Sequence, residues 1–283
     1  MKVIITGAEG QLGRALQELY PEAAALARTD LDISNKEEVR RYDWSDVEAI
    51  INAAAYTKVD DAETTDGFVS AWQSNAQGPL NLGVIARERE LILAHISTDY
   101  VFDGQDNEPY TEDSPVRPLS SYGRTKLAGD LVVESVPKHY LVRTSWVIGN
   151  GGNFVRTMLG LGGRGVEPKV VSDQIGRPSF TVDLARAIDH LLTRSAEFGT
   201  YNFSNNGEPV SWAQLTREIF NAAGYNLNVE DVTTEDYFAG KPQTAKRPLY
   251  SLLNLDKLEK TGFENRDWKE ALKEYVSNEA SAV

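Results

Sequence analysis

The stretch Val3-Ile4-Ile5-Thr6-Gly7-Ala8-Glu9-Gly10-Gln11-Leu12-Gly13 decides the fold of this chain. An apolar run stops at the first glycine, two more glycines follow at intervals of three residues, and Leu12, Leu16 and Leu19 then share one face of an amphipathic segment. That order predicts a strand, a tight turn and a helix. Glycines let a backbone turn sharply or let a phosphate approach it, and a helix N-terminus offers unpaired N–H groups to a pyrophosphate. We therefore predict a dinucleotide-binding turn. An ordinary strand-to-helix turn is the alternative, because the spacing is G-x-x-G-x-x-G rather than G-x-G-x-x-G.

Composition limits the class of protein. The 283 residues are 41% hydrophobic and 25% charged, enough for one large domain or two modest ones with a real core. A formal net charge of -13 argues against a nucleic-acid partner, and the absence of cysteine excludes disulfides and thiolate metal sites. The first apolar run is too short for a signal peptide, and no run approaches membrane-spanning length. We therefore expect a cytoplasmic protein with no membrane partner.

Strand and helix patterns alternate over the first 150 residues, which predicts an α/β fold with a doubly wound, Rossmann-like parallel sheet. After the first helix, strands are predicted at residues 23–27, 47–51, 91–96 and 140–143, and helices at about 67–89 and 122–134. Beyond residue 150 the pattern is less regular, with a helix at 182–192, a strand at 199–204, a helix capped by Ser211 and a final helical stretch after Pro248. We expect residues 1–150 to form a dinucleotide-binding domain. Residues 151–283 would form mainly a smaller, interwoven substrate lobe, with segments around 170–200 returning to the first domain.

The end of the second predicted strand is where such folds contact the adenosine ribose. An acid there hydrogen-bonds the ribose hydroxyls of NAD, whereas an arginine can meet the 2′-phosphate of NADP. Arg28 and Thr29 precede Asp30 at this point. Arg28 favours NADPH as the cofactor, and Asp30 leaves NADH open. Alternatively, these residues form a solvated loop that does not contact a cofactor.

Two residues on the predicted helix 122–134 have the spacing of a catalytic pair. Tyr122 and Lys126 are four residues apart, so their side chains share one face. A lysine ammonium beside a phenol lowers the phenol pKa from about 10, which lets a tyrosine exchange a proton with a carbonyl oxygen near neutral pH. Thr98 follows a predicted strand and could offer a hydroxyl to the same oxygen, or could simply satisfy the strand end. Spacing alone does not decide, since Tyr237 and Lys241 share it.

These residues belong to a longer series of motifs. In order, the series is Gly7-x-x-Gly10-Gln11-Leu12-Gly13, Asn52 to Asp60 (NAAAYTKVD) with Ala62-Glu63, Ser97 to Gly104 (STDYVFDG), Tyr122 to Lys126 (YGRTK), Arg143 to Trp146 (RTSW), Asn153-Phe154-Val155, Asp173 to Pro178 (DQIGRP), and Ala245 to Pro248 (AKRP) with Ser251. With this series the chain resembles the extended short-chain dehydrogenase/reductases and, among them, the dTDP-4-dehydrorhamnose reductase family. The resemblance covers nearly the whole chain, and the motifs are specific when taken together.

The resemblance implies an activity and a set of site residues. NADPH, or NADH, would give a hydride to C4 of dTDP-4-dehydro-L-rhamnose to form dTDP-L-rhamnose. Tyr122 would protonate the resulting oxygen, Lys126 would tune Tyr122 and bind the nicotinamide ribose, and Thr98 would replace the usual catalytic serine or threonine. The residues implied to bind the cofactor are Gly7, Gly10, Gln11, Leu12, Gly13, Arg28, Asp32, Ile33, Ala53, Ala54, Tyr56, Tyr122 and Lys126. Those implied to bind the substrate are Thr98, Asp99, Trp146, Asn153 and Arg247.

Two departures from the family pattern bear on metal use and on reaction type. Some members are dimers bridged by magnesium through a glutamate two residues after the third glycine, where this chain has Ala15. The three histidines also lie far apart in sequence, so we expect no metal and a monomer or a weak dimer without a magnesium bridge. Related dehydratases carry Asp-Glu after the threonine, whereas this chain has Asp99-Tyr100, which favours carbonyl reduction over water elimination.

Two other functions stay open at this point. One is that of another sugar-nucleotide reductase or epimerase with the same fold. The other is that of a non-catalytic, dinucleotide-binding regulatory subunit resembling that of methionine adenosyltransferase. The presence of Thr98, Tyr122 and Lys126 argues against a purely regulatory role.

Overall fold

A six-stranded parallel sheet forms the centre of the computed structural model, which describes residues 1–194, 196–241 and 243–281, the side chain of Ser281 excepted. The sheet has the strand order β2-β1-β3-β4-β5-β10. The strands are β1 (Val3–Thr6), β2 (Ala24–Leu26), β3 (Ala49–Asn52), β4 (Ile92–Thr98), β5 (His139–Thr144), β6 (Val147–Ile148), β7 (Lys169–Val171), β8 (Ile175–Gly176), β9 (Ser179–Phe180), β10 (Gly199–Phe203), β11 (Val210–Ser211) and β12 (Glu230–Val232). The helices are α1 (Gln11–Leu19), α2 (Lys36–Arg41), α3 (Thr65–Trp72), α4 (Gly78–Glu88), α5 (Ser121–Glu134), α6 (Phe154–Gly162), α7 (Thr181–Thr193), α8 (Trp212–Ala223), α9 (Thr234–Phe238), α10 (Asp256–Glu259) and α11 (Trp268–Ser281).

Both faces of the sheet are buried, as the apolar runs of β1 and β3 require. On one face the sheet packs against α1 and α7, with Leu16 and Ile188 in the shared core. On the other face α2, α4 and α5 cover it, with Val39, Leu82 and Val133 in the core. Helices on both faces of a parallel sheet are the doubly wound arrangement that the alternating sequence pattern predicts.

The strand order reverses between β1 and β3, which places a crevice at the carboxyl ends of these two strands. The predicted strand, turn and helix at the N-terminus are β1, residues 7–10 and α1. In open α/β sheets a ligand binds at such a reversal point. The glycine turn therefore lies where the topology alone would put a ligand.

The prediction of one long helix at about residues 67–89 is wrong in one respect, because a π-helical turn interrupts that helix. The structure has α3, then the π-helical turn Gln73–Gln77, then α4. This turn packs directly on α5: a Cβ added to Gly129 would lie 2.1 Å from the Asn75 carbonyl oxygen. Such turns are rare and are frequent at functional sites, and this one carries the fully buried Asn75.

The later half of the chain forms a second core and also contributes to the main sheet. Helices α6, α8 and α11 share an apolar cluster that includes Phe220 and Trp268. Ser211 caps α8 as predicted, in a capping box with Gln214. β10 pairs with β5 at the edge of the main sheet, and α7 packs on α1. The division of the chain at residue 150 stays a prediction. The final helical stretch expected after Pro248 is two separate helices, α10 and α11.

Candidate active site

A cleft of about 690 Å³ lies at the carboxyl ends of the central strands. It brings together ten of the residues expected from the sequence: Gly10, Gln11, Leu12, Ala53, Thr98, Asp99, Tyr122, Lys126, Trp146 and Asn153. The other expected residues, which lie outside this lining, are Gly7, Gly13, Arg28, Asp32, Ile33, Ala54, Tyr56 and Arg247. The cleft therefore joins the glycine turn to the expected catalytic group.

The glycine turn has the shape of a cradle for an anionic ligand. Gly7 has φ +76°, and a Cβ added there would lie 2.5 Å from the backbone nitrogen of Ala54. A Cβ on Gly13 would lie 2.1 Å from the Gly7 carbonyl oxygen, so α1 packs directly on the turn. Gly10 is the N-cap of α1 and faces the cleft, and its added Cβ would meet only the Gly7 oxygen, at 3.2 Å. Because Gly10 leaves the helix N-terminus open, the turn fits a pyrophosphate.

Gln11 and Asn153 connect the first helix to the later half of the chain. The Gln11 Oε1 accepts hydrogen bonds from the Gly149 backbone N–H at 2.8 Å and from the Asn153 Nδ2 at 3.3 Å. The Asn153 Oδ1 caps α6 by accepting from the Arg156 backbone N–H at 3.0 Å. Both side chains line the cleft, and both also hold its wall in place.

The residues at the end of β2 form a small charged loop outside the cleft. Arg28 donates through its Nη2 to Asp32 at 3.2 Å; the arginine side chain is exposed and the aspartate is partly buried. Asp32 also accepts from the backbone and hydroxyl of Ser34. Asp30 turns back and accepts from the Ala27 backbone N–H, so its carboxylate is engaged locally. Ile33 lies under α4, where a Cβ on Gly78 would come within 2.6 Å of it.

Asn75 holds the loop that follows β3. Its Oδ1 accepts from the Tyr56 backbone N–H at 2.8 Å, and its Nδ2 donates to the Tyr56 carbonyl and to the Thr125 hydroxyl, both at 3.1 Å. The Tyr56 hydroxyl donates to Asp61. The π-helical turn thus fixes the backbone of the 53–56 segment relative to α5, which carries Tyr122 and Lys126.

Thr98, Asp99 and Tyr122 meet at the end of β4. The Thr98 hydroxyl donates to Asp99 Oδ1 at 3.0 Å and accepts from the Tyr100 backbone N–H at 3.2 Å. Tyr122 lines the cleft together with Thr98 and Asp99, and its ring packs edge-on against Tyr100 with 5.4 Å between centroids. Burial raises the pKa of Asp99 to about 6, although hydrogen bonds to its carboxylate oppose that rise.

The expected lowering of the Tyr122 pKa is wrong for this state of the protein. Burial raises the pKa of Tyr122 above its ordinary value, and the nearby Asp99 carboxylate raises it further. The Lys126 Nζ is engaged elsewhere: it donates to the Ile96 carbonyl at 2.6 Å and lies 3.3 Å from His95 Nε2. Burial lowers the pKa of Lys126 to about 8 against the opposing effect of Asp130. Tyr122 therefore keeps its proton at neutral pH and can act as a proton donor.

Trp146 lines the cleft, and a second tryptophan, Trp212, supports it from behind. Trp146 stacks on Trp212 with 3.7 Å between centroids, and Phe154 packs on Trp212 at 4.5 Å. Trp146 has φ +47°, an uncommon conformation for a residue other than glycine. Trp212 donates through its ring N–H to Gln174 at 3.2 Å. The stack gives a flat apolar surface to the cleft that Thr98, Tyr122 and Lys126 also line.

Arg247 lies outside the cleft lining and is bound to the loop that follows β3. Its Nη2 donates to both carboxylate oxygens of Asp60, at 2.8 and 3.0 Å, and its Nη1 donates to the Ala245 carbonyl. The Ala245 backbone N–H also donates to Asp60. The guanidinium sits over the Phe238 ring at 4.5 Å. The segment 245–247 is thus fastened to the loop that follows β3.

Comparison with known proteins identifies the family. The family model described as RmlD substrate binding domain matches residues 1–281. The chain belongs to the RmlD substrate binding domain family. The dTDP-4-dehydrorhamnose reductase of Aggregatibacter actinomycetemcomitans is 39% identical to it, over 96% of this chain and 97% of that protein.

Solved structures agree with this family membership. A dTDP-4-dehydrorhamnose reductase from Clostridium acetobutylicum has a TM-score of 0.91 and 42% identity, covering 98% of this chain and 99% of its own. A dTDP-4-dehydrorhamnose reductase from Bacillus anthracis, solved in complex with NADP, has a TM-score of 0.89 and 39% identity, covering 98% of this chain and 100% of its own. The resemblance and the Rossmann-like fold class predicted from the sequence are both confirmed.

Some residues that support this RmlD-family cleft from outside its lining could not be predicted from the sequence. Trp212 and His95 contact the expected residues but lie in apolar or mixed segments with no distinctive spacing. Asn75 is a polar residue inside an otherwise regular helical pattern, which is an unusual position. Its role becomes clear only from the π-helical turn that contains it. Side-chain contacts across distant segments leave little trace in local sequence.

The described residues of this RmlD-family chain contain neither a membrane-spanning helix nor a metal-ligating cluster. Across residues 1–194, 196–241 and 243–281, every helix is too short or too polar to cross a membrane. Over the same ranges, no group of three or more histidine, aspartate or glutamate side chains is arranged to hold a metal ion.

Proposed function

We propose that this chain is an NAD(P)H-dependent oxidoreductase that reduces the 4-keto group of dTDP-4-dehydro-L-rhamnose to give dTDP-L-rhamnose. One observation carries the proposal: Thr98, Tyr122 and Lys126 share a cleft with an open glycine turn. Relatives named dTDP-4-dehydrorhamnose reductase, similar over nearly the whole chain, support the choice of reaction. The buried Tyr122, which keeps its proton, suits reduction because the new alkoxide needs a proton donor.

The cofactor would lie from the glycine turn to Lys126. When bound, the nicotinamide supplies the hydride that the carbonyl carbon accepts. In this proposal Gly7, Gly10, Gln11, Leu12 and Gly13 hold the pyrophosphate, Asp32 and Ile33 lie near the adenine, and Ala53, Ala54 and Tyr56 line the path between them. NADPH is preferred, because Arg28 can meet a 2′-phosphate and a relative of 39% identity was solved with NADP.

The protein groups then act on the substrate carbonyl. Tyr122 gives its hydroxyl proton to the carbonyl oxygen, Thr98 hydrogen-bonds that oxygen, and Lys126 supports the tyrosine. Asp99 would act on the substrate indirectly, through the hydrogen bond that it accepts from Thr98. Trp146 would pack on the sugar ring, since apolar sugar faces stack on flat aromatic surfaces.

The diphosphate of the substrate is assigned to Asn153 and Arg247. A guanidinium binds a diphosphate well through two parallel hydrogen bonds. Arg247 is held by Asp60 in this structure, so the diphosphate would share the guanidinium or displace the carboxylate. Asn153 already caps α6, and its Nδ2 faces several oxygens at the cleft wall.

The proposal includes a cytoplasmic location and a monomer or weak dimer that needs no magnesium. Ala15 stands on α1 at the position of the bridging glutamate, and its methyl group is buried in the core of the main sheet. Such a side chain has no oxygen to offer a cation. EDTA should therefore leave turnover unchanged, and gel filtration with and without magnesium should give one elution volume.

Turnover of NADPH and NADH with dTDP-4-dehydro-L-rhamnose, followed by the loss of nicotinamide absorbance, tests the proposal directly. Tyr122→Phe should lower kcat by about 10²–10⁴-fold while cofactor binding persists, since only the proton donor is lost. Tyr100→Phe, at the ring that packs on Tyr122, is the matched control and should retain most activity. Cofactor binding without turnover would favour the regulatory alternative. Turnover only with another dTDP-4-keto sugar would favour a different reductase of the same fold.

A further inference from the structure

Thr6, Asn52 and His95 form a line of hydrogen-bonded side chains across three neighbouring strands. They stand opposite one another in register, Thr6 beside Asn52 and Asn52 beside His95. Thr6 donates to Asn52 Oδ1 at 2.8 Å, and Asn52 Nδ2 lies 2.9 Å from His95 Nδ1. All three are at most 1% exposed. The line begins next to the glycine turn and ends at Lys126, whose Nζ lies 3.3 Å from His95 Nε2.

The partners of Asn52 determine which nitrogen of His95 carries hydrogen. Asn52 Oδ1 accepts from the Thr6 hydroxyl and also from the Ala54 backbone N–H at 3.2 Å, which fixes the orientation of the amide. Its Nδ2 must then donate to His95 Nδ1. Burial lowers the pKa of His95 well below its ordinary value, so the ring is neutral. A neutral ring that accepts at Nδ1 carries its hydrogen on Nε2.

The Nε2–H of His95 therefore points at a nitrogen that is itself a donor when charged. An ammonium has hydrogens to donate and no lone pair, whereas a neutral amine can accept. The Lys126 Nζ donates one of its hydrogens to the Ile96 carbonyl oxygen, 2.6 Å away. We propose that His95 is a positioning residue for Lys126: it holds the Nζ against the Ile96 carbonyl and makes the ammonium of Lys126 easier to deprotonate during turnover.

Other titratable groups surround Lys126 and set the background for this effect. Tyr122 and Asp130 lie on the same helix, Asp99 follows β4, and Arg143 on β5 lies 3.9 Å from Asp130. Asp130 raises the pKa of Lys126, while burial, the larger effect, lowers it. His95 is neutral among them, so its replacement by another neutral residue changes the hydrogen bonding without changing the net charge.

The kinetic consequence rests on the proposed function. Each reduction consumes one proton: Tyr122 gives its hydroxyl proton to the new alkoxide, and the tyrosinate that remains must be reprotonated. The ammonium of Lys126 supplies that proton and regains one from water. Because the N–H of His95 opposes the ammonium, Lys126 gives up its proton more readily, which keeps its pKa near the working pH.

The first test needs neither cofactor nor substrate. ¹⁵N NMR of the histidines in the wild-type protein should show His95 neutral, with hydrogen on Nε2, from about pH 5 to 8. His139 is an internal control with the opposite tautomer. Its Nδ1 lies 2.6 Å from the Val136 carbonyl oxygen, so this nitrogen must carry hydrogen and donate. His139→Gln and His190→Gln assign the three signals without altering His95. Hydrogen on Nδ1 of His95, or its titration near pH 6.5, would overturn the proposal.

The second test compares two substitutions of His95. His95→Phe keeps a ring but removes the donor, whereas His95→Gln keeps an N–H at similar reach. We expect His95→Phe to lower kcat about tenfold and to move the alkaline limb of its pH profile up by about one unit, since the ammonium is no longer opposed. His95→Gln should keep the wild-type limb. A lower kcat with an unmoved limb in His95→Phe would mean a structural role only, and would overturn the proposal. Absence of wild-type turnover would count against the proposed function, and the NMR result would still decide the arrangement of His95.

Discussion

Thr98 directs its single hydroxyl proton at the carboxyl group of Asp99, 3.0 Å away in the buried end of the cleft. The hydroxyl that the proposed reaction needs at the sugar carbonyl is therefore engaged with a carboxylate. Protonation of Asp99 would reverse the bond, because a neutral carboxyl group can donate to Thr98 and release its hydroxyl proton. The protonation of Asp99 thus decides what Thr98 can offer to a substrate.

The hydrogen bond between Thr98 and Asp99 predicts that kcat/KM depends on pH. Burial raises the pKa of Asp99 to about 6, so the carboxyl group is protonated below that pH and ionised above it. We expect kcat/KM to fall several-fold as the pH rises through about 6, since the carboxylate then holds the Thr98 hydroxyl. In Asp99→Asn the amide donates to Thr98 at every pH, and this limb should disappear. An unchanged limb in Asp99→Asn would assign it to another group.

The glycine turn predicts opposite results for two alanine substitutions. In Gly13→Ala the new Cβ would lie 2.1 Å from the Gly7 carbonyl oxygen, so α1 must shift, and we expect the free energy of unfolding to fall by about 1–3 kcal/mol. In Gly10→Ala the new Cβ faces the cleft with only one close contact, at 3.2 Å. We expect unchanged stability but at least about tenfold weaker NADPH binding. Thermal unfolding and cofactor titration of both variants measure this, and equal effects on stability would contradict it.

The tryptophan stack predicts a loss of substrate affinity. Trp212→Ala removes the ring that supports Trp146 at 3.7 Å, and Trp146 is then free to leave its uncommon backbone conformation. We expect the KM for the sugar nucleotide to rise about tenfold, with a loss of roughly 2 kcal/mol in stability and little change in the KM for NADPH. Trp72→Ala is the control, because Trp72 is 45% exposed on α3. Equal effects of the two substitutions would argue against a role for the stack.

Replacing Arg247 should affect the KM for the sugar nucleotide and not the KM for NADPH. Arg247→Ala removes the guanidinium assigned to the substrate diphosphate, so we expect the KM for the sugar nucleotide to rise at least about tenfold while the KM for NADPH stays unchanged. Arg217→Ala is the matched control, because Arg217 also pairs with an aspartate, Asp231, at 2.6 Å. A parallel rise in both KM values for Arg247→Ala would indicate a general disturbance of the loop instead.

Local sequence was sufficient for the main sheet. β1, β3 and β4 are apolar runs that end in turn or polar residues, so their order and type follow from periodicity. The short helix α2 has one buried residue, Val39, and was not predicted. The break at residues 73–77 could not be predicted in this way. It depends on Asn75 bonding to Tyr56 and Thr125 and on the close approach to Gly129, which are contacts between distant parts of the chain.

In the candidate site, the sequence predicted where side chains lie but not the pKa values of individual groups. The spacing of Tyr122 and Lys126 placed both side chains on one helix face, and both line the cleft. The expected effect of the lysine on the tyrosine was wrong, because the pKa of a buried group depends on its desolvation and on which neighbours its partner contacts. The carbonyl of Ile96 and the ring of His95, which engage Lys126, belong to another strand.

The pairing of β10 with β5 has a consequence for how the chain is made. Residues 199–203 complete the edge of a sheet whose other five strands end by residue 144. During synthesis β5 is therefore an open edge until more than fifty further residues have left the ribosome, and an open edge can pair with another chain. A fragment that stops before residue 199 would keep that edge permanently. We expect it to aggregate even though it contains Thr98, Tyr122 and Lys126, so the N-terminal part of this protein depends on its C-terminal part for solubility.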